Sequence, residues 1–90
     1  MIVSIQNLED VKSFFHHLLF KERLNFHPDE DFQNYIDQET MQPTYTAQEA
    51  LLRNKLIEQA FQVCEAHQVD IYQLGSDYLF KYLNIKTPKP

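Results

Sequence analysis

The stretch from Thr46 to His67, TAQEALLRNKLIEQAFQVCEAH, decides the fold. Thr46 and Glu49 make the Thr-x-x-Glu pattern of a capping box, in which each side chain satisfies the other residue's free backbone N–H. No glycine or proline interrupts the run from Ala47 to His67. Ala50, Leu52, Leu56, Ile57, Ala60, Phe61, Val63 and Cys64 recur at helical spacing and cover a wide arc. So broad an arc predicts a central helix over about 47–67, touched on more than one side.

Toward the C-terminus, Asp70 is suited to cap a further helix. Ile71, Leu74, Tyr78, Tyr82 and Ile85 share one face and predict that helix over about 71–83. Thr87–Pro90, with two prolines, is expected to be a frayed tail, leaving a single domain over 1–86. Toward the N-terminus, Asn7 is a good cap, with Glu9 and Asp10 in the first turn, where the helix dipole favours negative charge. Leu8, Val11, Phe14, Phe15, Leu18 and Leu19 predict a helix over about 8–22. Met1–Gln6 is too short and isolated for a sheet and is expected to be an extended arm or a lead-in to that helix. Pro28, followed by Asp29, Glu30 and Asp31, can open a short helix over about 29–36, with Phe32, Tyr35 and Ile36 inward. Asp37–Tyr45 then reads as an irregular connection, long enough to be functional. The expected class is all-α: one small bundle of three main helices plus one short helix.

Composition narrows the functions. The 90 residues include one glycine, where average usage gives about six. A phosphate-cradling loop of the P-loop or dinucleotide type cannot be built from one glycine. Tight-turned β folds are disfavoured for the same reason. That glycine, Gly75, falls inside the last helix, where it costs about 1 kcal/mol relative to alanine. Either another backbone or a large ring such as Phe14 or Phe61 presses on it, or it ends one turn and Ser76 caps a second helix, splitting the helix in two. A lone Cys64 forms no internal disulfide, which points to a reducing, cytoplasmic setting. No apolar run is long enough to span a membrane, and Met1–Asp10 has no basic start followed by an apolar stretch.

The net charge is −5, and residues 1–46 carry all of the excess, with eight acids against three bases. A negative chain repels a phosphate backbone, so nucleic-acid binding is not expected. A helix-turn-helix reading of the last two helices fails on this ground, because its recognition helix would expose Lys81 beside Asp77. Asp29 and Asp31 fit the first positions of an EF-hand, but Asn34 stands where glycine is needed and Thr40 where glutamate is needed. His16 and His17 point apart on a helix, whereas His17 and Lys21 share a face. Cys64 with His67 makes only half a zinc site. No metal or cofactor is expected. Cys64 sits within an apolar arc rather than at a helix N-terminus, so no activated nucleophile is evident.

Two features stand out. Arg53 falls inside the apolar arc and must be paired or reach out. Glu49, one turn back, and the acids Asp29 and Asp31 are its candidate partners, in a structural clamp holding the irregular segment to the central helix. Phe20 and Phe80 lie off the apolar faces of their helices, with Tyr72 and Leu83 flanking the second. These four are the candidate partner interface, unless Phe20 tucks under Leu24 and Phe26 and Phe80 meets the N-terminal arm. The expected function is a non-catalytic cytoplasmic interaction or regulatory protein, contacting a protein partner or a second copy as a homodimer. The alternatives are a small enzyme or ligand-binding domain using segment 24–46, and an acidic mimic of nucleic acid.

Overall fold

The computed structural model describes residues 3–86, without the side chains of Tyr82 and residues 84–86. Three helices carry the chain: α1 (Leu8–His16), α2 (Ala47–Ala66) and α3 (Ile71–Lys86). α1 runs without a break into a π-helical turn, His17–Lys21, and a 3-10 turn, Phe32–Asn34, lies between it and α2. There is no strand among the described residues, only an isolated bridge between Ile36 and Pro43. The domain is all-α. The expected tail, Thr87–Pro90, and the start of the N-terminal arm lie outside the described residues.

Local chemistry sets the helix starts. The Asn7 side chain accepts from the Asp10 N–H at 2.9 Å. In the capping box, the Thr46 N–H donates to Glu49 Oε1 at 2.8 Å and the Glu49 N–H to Thr46 Oγ1 at 3.2 Å. Asp70 Oδ1 accepts from the N–H groups of Tyr72 and Gln73 at 2.9 and 3.2 Å. α2 ends in a Schellman arrangement: the Val69 N–H reaches the Cys64 carbonyl at 2.8 Å, and Gln68 takes the left-handed conformation, φ 56°. Arg23, φ 54°, does the same after the π turn.

Each helix packs against the other two, and the 3-10 turn packs on α2. Phe14, Phe15, Leu18 and Leu19 from the first element meet Phe32, Leu56 and Cys64 in the fully buried core. The arm is pinned where Ile5 is buried and its N–H donates to Gln59 Oε1 at 2.8 Å.

The short helix expected over 29–36 is only the three-residue turn Phe32–Asn34. The cause is non-local. Asn54, on α2, accepts from the Phe32 N–H at 2.9 Å and donates to Asp31 Oδ1 at 2.8 Å. These bonds hold the segment as a single turn capped by Asp31, whose side chain accepts from the Gln33 N–H. Beyond it the chain is extended. Tyr35 packs on Phe32, but Ile36, expected to face inward, is 49% exposed. α3 in turn continues to Lys86, three residues past the expected end.

Gly75 does not break α3, and its φ is not positive. A Cβ built there would lie 3.7 Å from Pro28 Cγ and 4.0 Å from a Phe15 ring carbon, which are ordinary contacts. The expected crowding by Phe14 or Phe61 is absent. Nothing in the packing therefore requires glycine, and the helix loses stability by keeping it. Gly75→Ala is expected to stabilise the fold by about 0.5–1 kcal/mol, raising Tm by a few degrees in a thermal melt.

Candidate functional site

Two places collect polar or aromatic side chains that the hydrophobic pattern does not explain. The first is buried and centres on Arg53, which is 6% exposed. Its Nε donates to Glu22 Oε1 at 3.0 Å, and its Nη2 donates to Glu22 Oε2. This is the two-pronged guanidinium–carboxylate pairing that fixes orientation as well as charge. The remaining nitrogen, Nη1, donates to the Glu49 backbone carbonyl at 3.0 Å. Below the guanidinium lies the Tyr45 ring, 4.2 Å from Cζ to the ring centre. The Tyr45 hydroxyl donates to Glu22 Oε1 at 2.6 Å, and His17 Nε2 lies 3.0 Å from Glu22 Oε2.

The carboxylate in this cluster is therefore Glu22, rather than the expected Glu49, Asp29 or Asp31. The Glu49 side chain is engaged in the capping box, Asp31 binds Asn54, and Asp29 accepts from the Tyr72 hydroxyl. The π turn explains the substitution. An ordinary helix puts His17 and Lys21 on one face, whereas the wider turn, closed by the bond from the Glu22 N–H to the His17 carbonyl, brings Glu22 beside His17. The cluster ties together the end of the first helical element, Tyr45 just before α2, and α2 itself.

Burial works against the charge on Glu22. Hydrogen bonds from Arg53 and Tyr45, the charge of Arg53 and the contact with His17 outweigh it and hold the carboxyl below its ordinary range. Burial and the adjacent Glu22 carboxylate push the Tyr45 phenol up, so it stays a neutral donor. Because the native Glu22 carboxyl binds its proton less readily than the unfolded one, its contribution is full above the unfolded value, about pH 4.3, and disappears as pH falls through the lower native value. Thermal melts of the wild type should accordingly fall more steeply below about pH 4.5 than those of Glu22→Gln. Parallel profiles would show that another carboxylate governs acid unfolding.

The second place is on the surface. α3 turns Tyr72, Phe80 and Leu83 outward, 45%, 68% and 50% exposed. With Leu79 they follow helical spacing along one side of the helix. Phe80 thus stands in solvent rather than against the arm. The fourth candidate, Phe20, is half-buried in the π turn, packed against the core and stacked on His16 with ring centres 4.5 Å apart. Alongside the exposed stripe runs a cleft of about 340 Å³, walled by Phe26, His27 and Pro28 on one side and by Tyr72, Gly75 and Leu79 on the other. The missing Cβ of Gly75 forms part of its wall. Tyr72 is held in place, its hydroxyl donating to Asp29 Oδ1 at 2.7 Å and its ring edge-on to Phe61. No pattern along the chain signals the cleft, because Asn25–Pro28 and α3 are brought together only by the tertiary fold.

Cys64 is buried, and burial pushes its thiol up, the opposite of what a reactive thiolate needs. No helix among the described residues is long and apolar enough to cross a membrane, and no group of three or more metal-ligating side chains forms among them. No protein-family model, no curated protein and no solved structure matches the chain.

Proposed function

We propose that this protein is a non-catalytic interaction module of the cytoplasm, which contacts its protein partner through the outer side of α3. The observation that carries this reading is the exposure of Tyr72, Phe80 and Leu83 along one side of a single helix. Large apolar side chains grouped on a surface are the usual mark of a contact site. The buried cluster supports the reading from the other direction. Among the described residues no buried side-chain nitrogen or oxygen lacks a partner, and the polar atoms of Arg53, Glu22 and Tyr45 are taken up by one another, by the Glu49 carbonyl and by His17. The buried, unpaired Cys64 fits a reducing compartment.

The test is site-specific photocrosslinking in the native cell. A photoreactive residue replacing Phe80 or Leu83 should give a discrete adduct, and one replacing Glu58, exposed on α2, should not. Phe80→Glu should abolish the adduct formed from position 83. Equal labelling from all three positions, or none from α3, overturns the reading.

A second reading, a small-molecule site involving segment 24–46, is favoured by the cleft alone, whose volume is at the low end of the roughly 300–1,000 Å³ typical of ligand pockets. A bound small molecule would protect His27 and Tyr72 without any adduct from position 83.

A further inference from the structure

The charge around the exposed stripe says what kind of partner fits it. The cleft is lined by residues from 25–28 and 72–79, and those stretches with their immediate flanks, 25–31 and 70–81, carry Asp29, Glu30, Asp31, Asp70 and Asp77 against a single base, Lys81. Asp31 turns away to Asn54 on α2. The other four are exposed beside the cleft and along α3. Two of them hold Tyr72: Asp29 Oδ1 accepts from its hydroxyl at 2.7 Å and Asp70 Oδ1 from its backbone N–H at 2.9 Å. The stripe is thus apolar along its centre, with four exposed acids and one exposed base, Lys81, around it.

A second copy would bring four acids against the single base Lys81 to the same face, so like-charge repulsion outweighs the pairing that Lys81 offers and self-association is disfavoured despite the exposed Phe80. An anionic partner is disfavoured on the same ground. We propose that α3 and the cleft form a docking groove for a basic amphipathic helix of another protein, with one large apolar side chain inserted beside Gly75 and lysines or arginines facing Asp29, Glu30, Asp70 and Asp77. Helix-in-groove recognition uses such a combination of apolar anchor and flanking charge. Gly75 gains a reason on this basis. Alanine would fit the fold and strengthen the helix, but its Cβ would occupy the wall of the hole that receives the anchor. The inference rests on the interaction reading above and adds the chemistry of the partner.

The probe is a synthetic helix of about five turns, built from leucine and lysine with one tryptophan on its apolar face, titrated against the intact protein by tryptophan fluorescence. Its counterpart with glutamate in place of lysine is the control. The basic peptide should bind and weaken with salt, and the acidic one should not. Gly75→Leu, which fills the cleft, and Phe80→Glu should each weaken binding by about tenfold or more. Asp29→Asn with Asp77→Asn should weaken it severalfold and flatten the salt dependence. Circular dichroism confirms that each variant is folded, and Phe80→Glu, on the surface, serves if Gly75→Leu is not. Equal affinity for wild type and both groove variants would mean diffuse electrostatic attraction and overturn the proposal, as would no binding of the basic peptide near 1 mM. A dimer in light scattering that Phe80→Glu disrupts would replace the basic helix with a second copy. If the peptide fails while α3 still crosslinks in the cell, the basic partner is wrong and the interaction reading stands. If both fail, both fall.

Discussion

Arg53→Ala is expected to destabilise the protein by about 3–5 kcal/mol, read as a lower urea midpoint with an unchanged slope. The size follows from what is left behind. Glu22 loses both guanidinium bonds and remains mostly buried as a charge whose nearest donors are the Tyr45 hydroxyl and His17. The Glu49 carbonyl and the face of the Tyr45 ring lose their partner in the same step. A domain of this size has roughly 5–13 kcal/mol in total, so the variant should be partly unfolded at 37 °C. Glu22→Gln in the Arg53→Ala background should cost less than the two single changes summed, because the stranded charge is gone. A loss below about 1 kcal/mol would mean that the pair is screened like a surface ion pair, and would free Arg53 to recognise a partner's carboxylate.

Phe32→Ala is expected to cost about as much, 3–5 kcal/mol, by a different mechanism. The ring is fully buried, with Phe14, Tyr35 and Tyr45 centred 6.5, 5.5 and 6.0 Å away. Removing it opens a cavity among aromatics that cannot collapse, because the backbone at this point is already fixed by Asn54. It also removes the apolar anchor of the 3-10 turn, the one element between the π turn and α2. Limited proteolysis should therefore cut the variant first between residues 24 and 45, before α2 or α3. Phe32→Leu, which fills most of the space, should recover a large part of the loss. Cuts distributed evenly along the chain would show that Phe32 supports the core as a whole rather than this segment.

The three helices are legible in the sequence because their signals are local. Asn7, Thr46 with Glu49, and Asp70 cap by reaching two or three residues along the chain, and the apolar repeats need only a helix to interpret them. Where structure and sequence pattern part, the cause is long-range. Asn54 reads as an ordinary helical residue, yet it holds Phe32 and Asp31 across the fold and dictates a 3-10 turn where acids after a proline suggest a helix. An asparagine amid good helix formers is a weak signal of such a role, since its amide competes for backbone groups. Arg53 is recognisable as a charge in need of a partner, but its carboxylate lies 31 residues away, and several acids are equally eligible. Phe20 and Phe80 look alike on a helical wheel. The wheel assumes α geometry throughout, and only Phe80 obeys it. The π turn re-aims Phe20, while Phe80 stays in solvent.

That π turn has a consequence for how the chain can change in length. A turn closed by i→i+5 bonds holds one residue more than the i→i+4 turn it replaces, while the helix on either side keeps its bearing. Between Asn7 and Glu22 the molecule thus carries the equivalent of a single-residue insertion, absorbed without loss of register. Deleting Phe20 would let the turn relax to α geometry, and the glutamate would then stand one ordinary turn from His17, still aimed at Arg53. Adding a residue would find the slack already used and would swing the glutamate off that face. Over this stretch a shorter descendant is tolerable and a longer one is not, an asymmetry that exposed loops do not share.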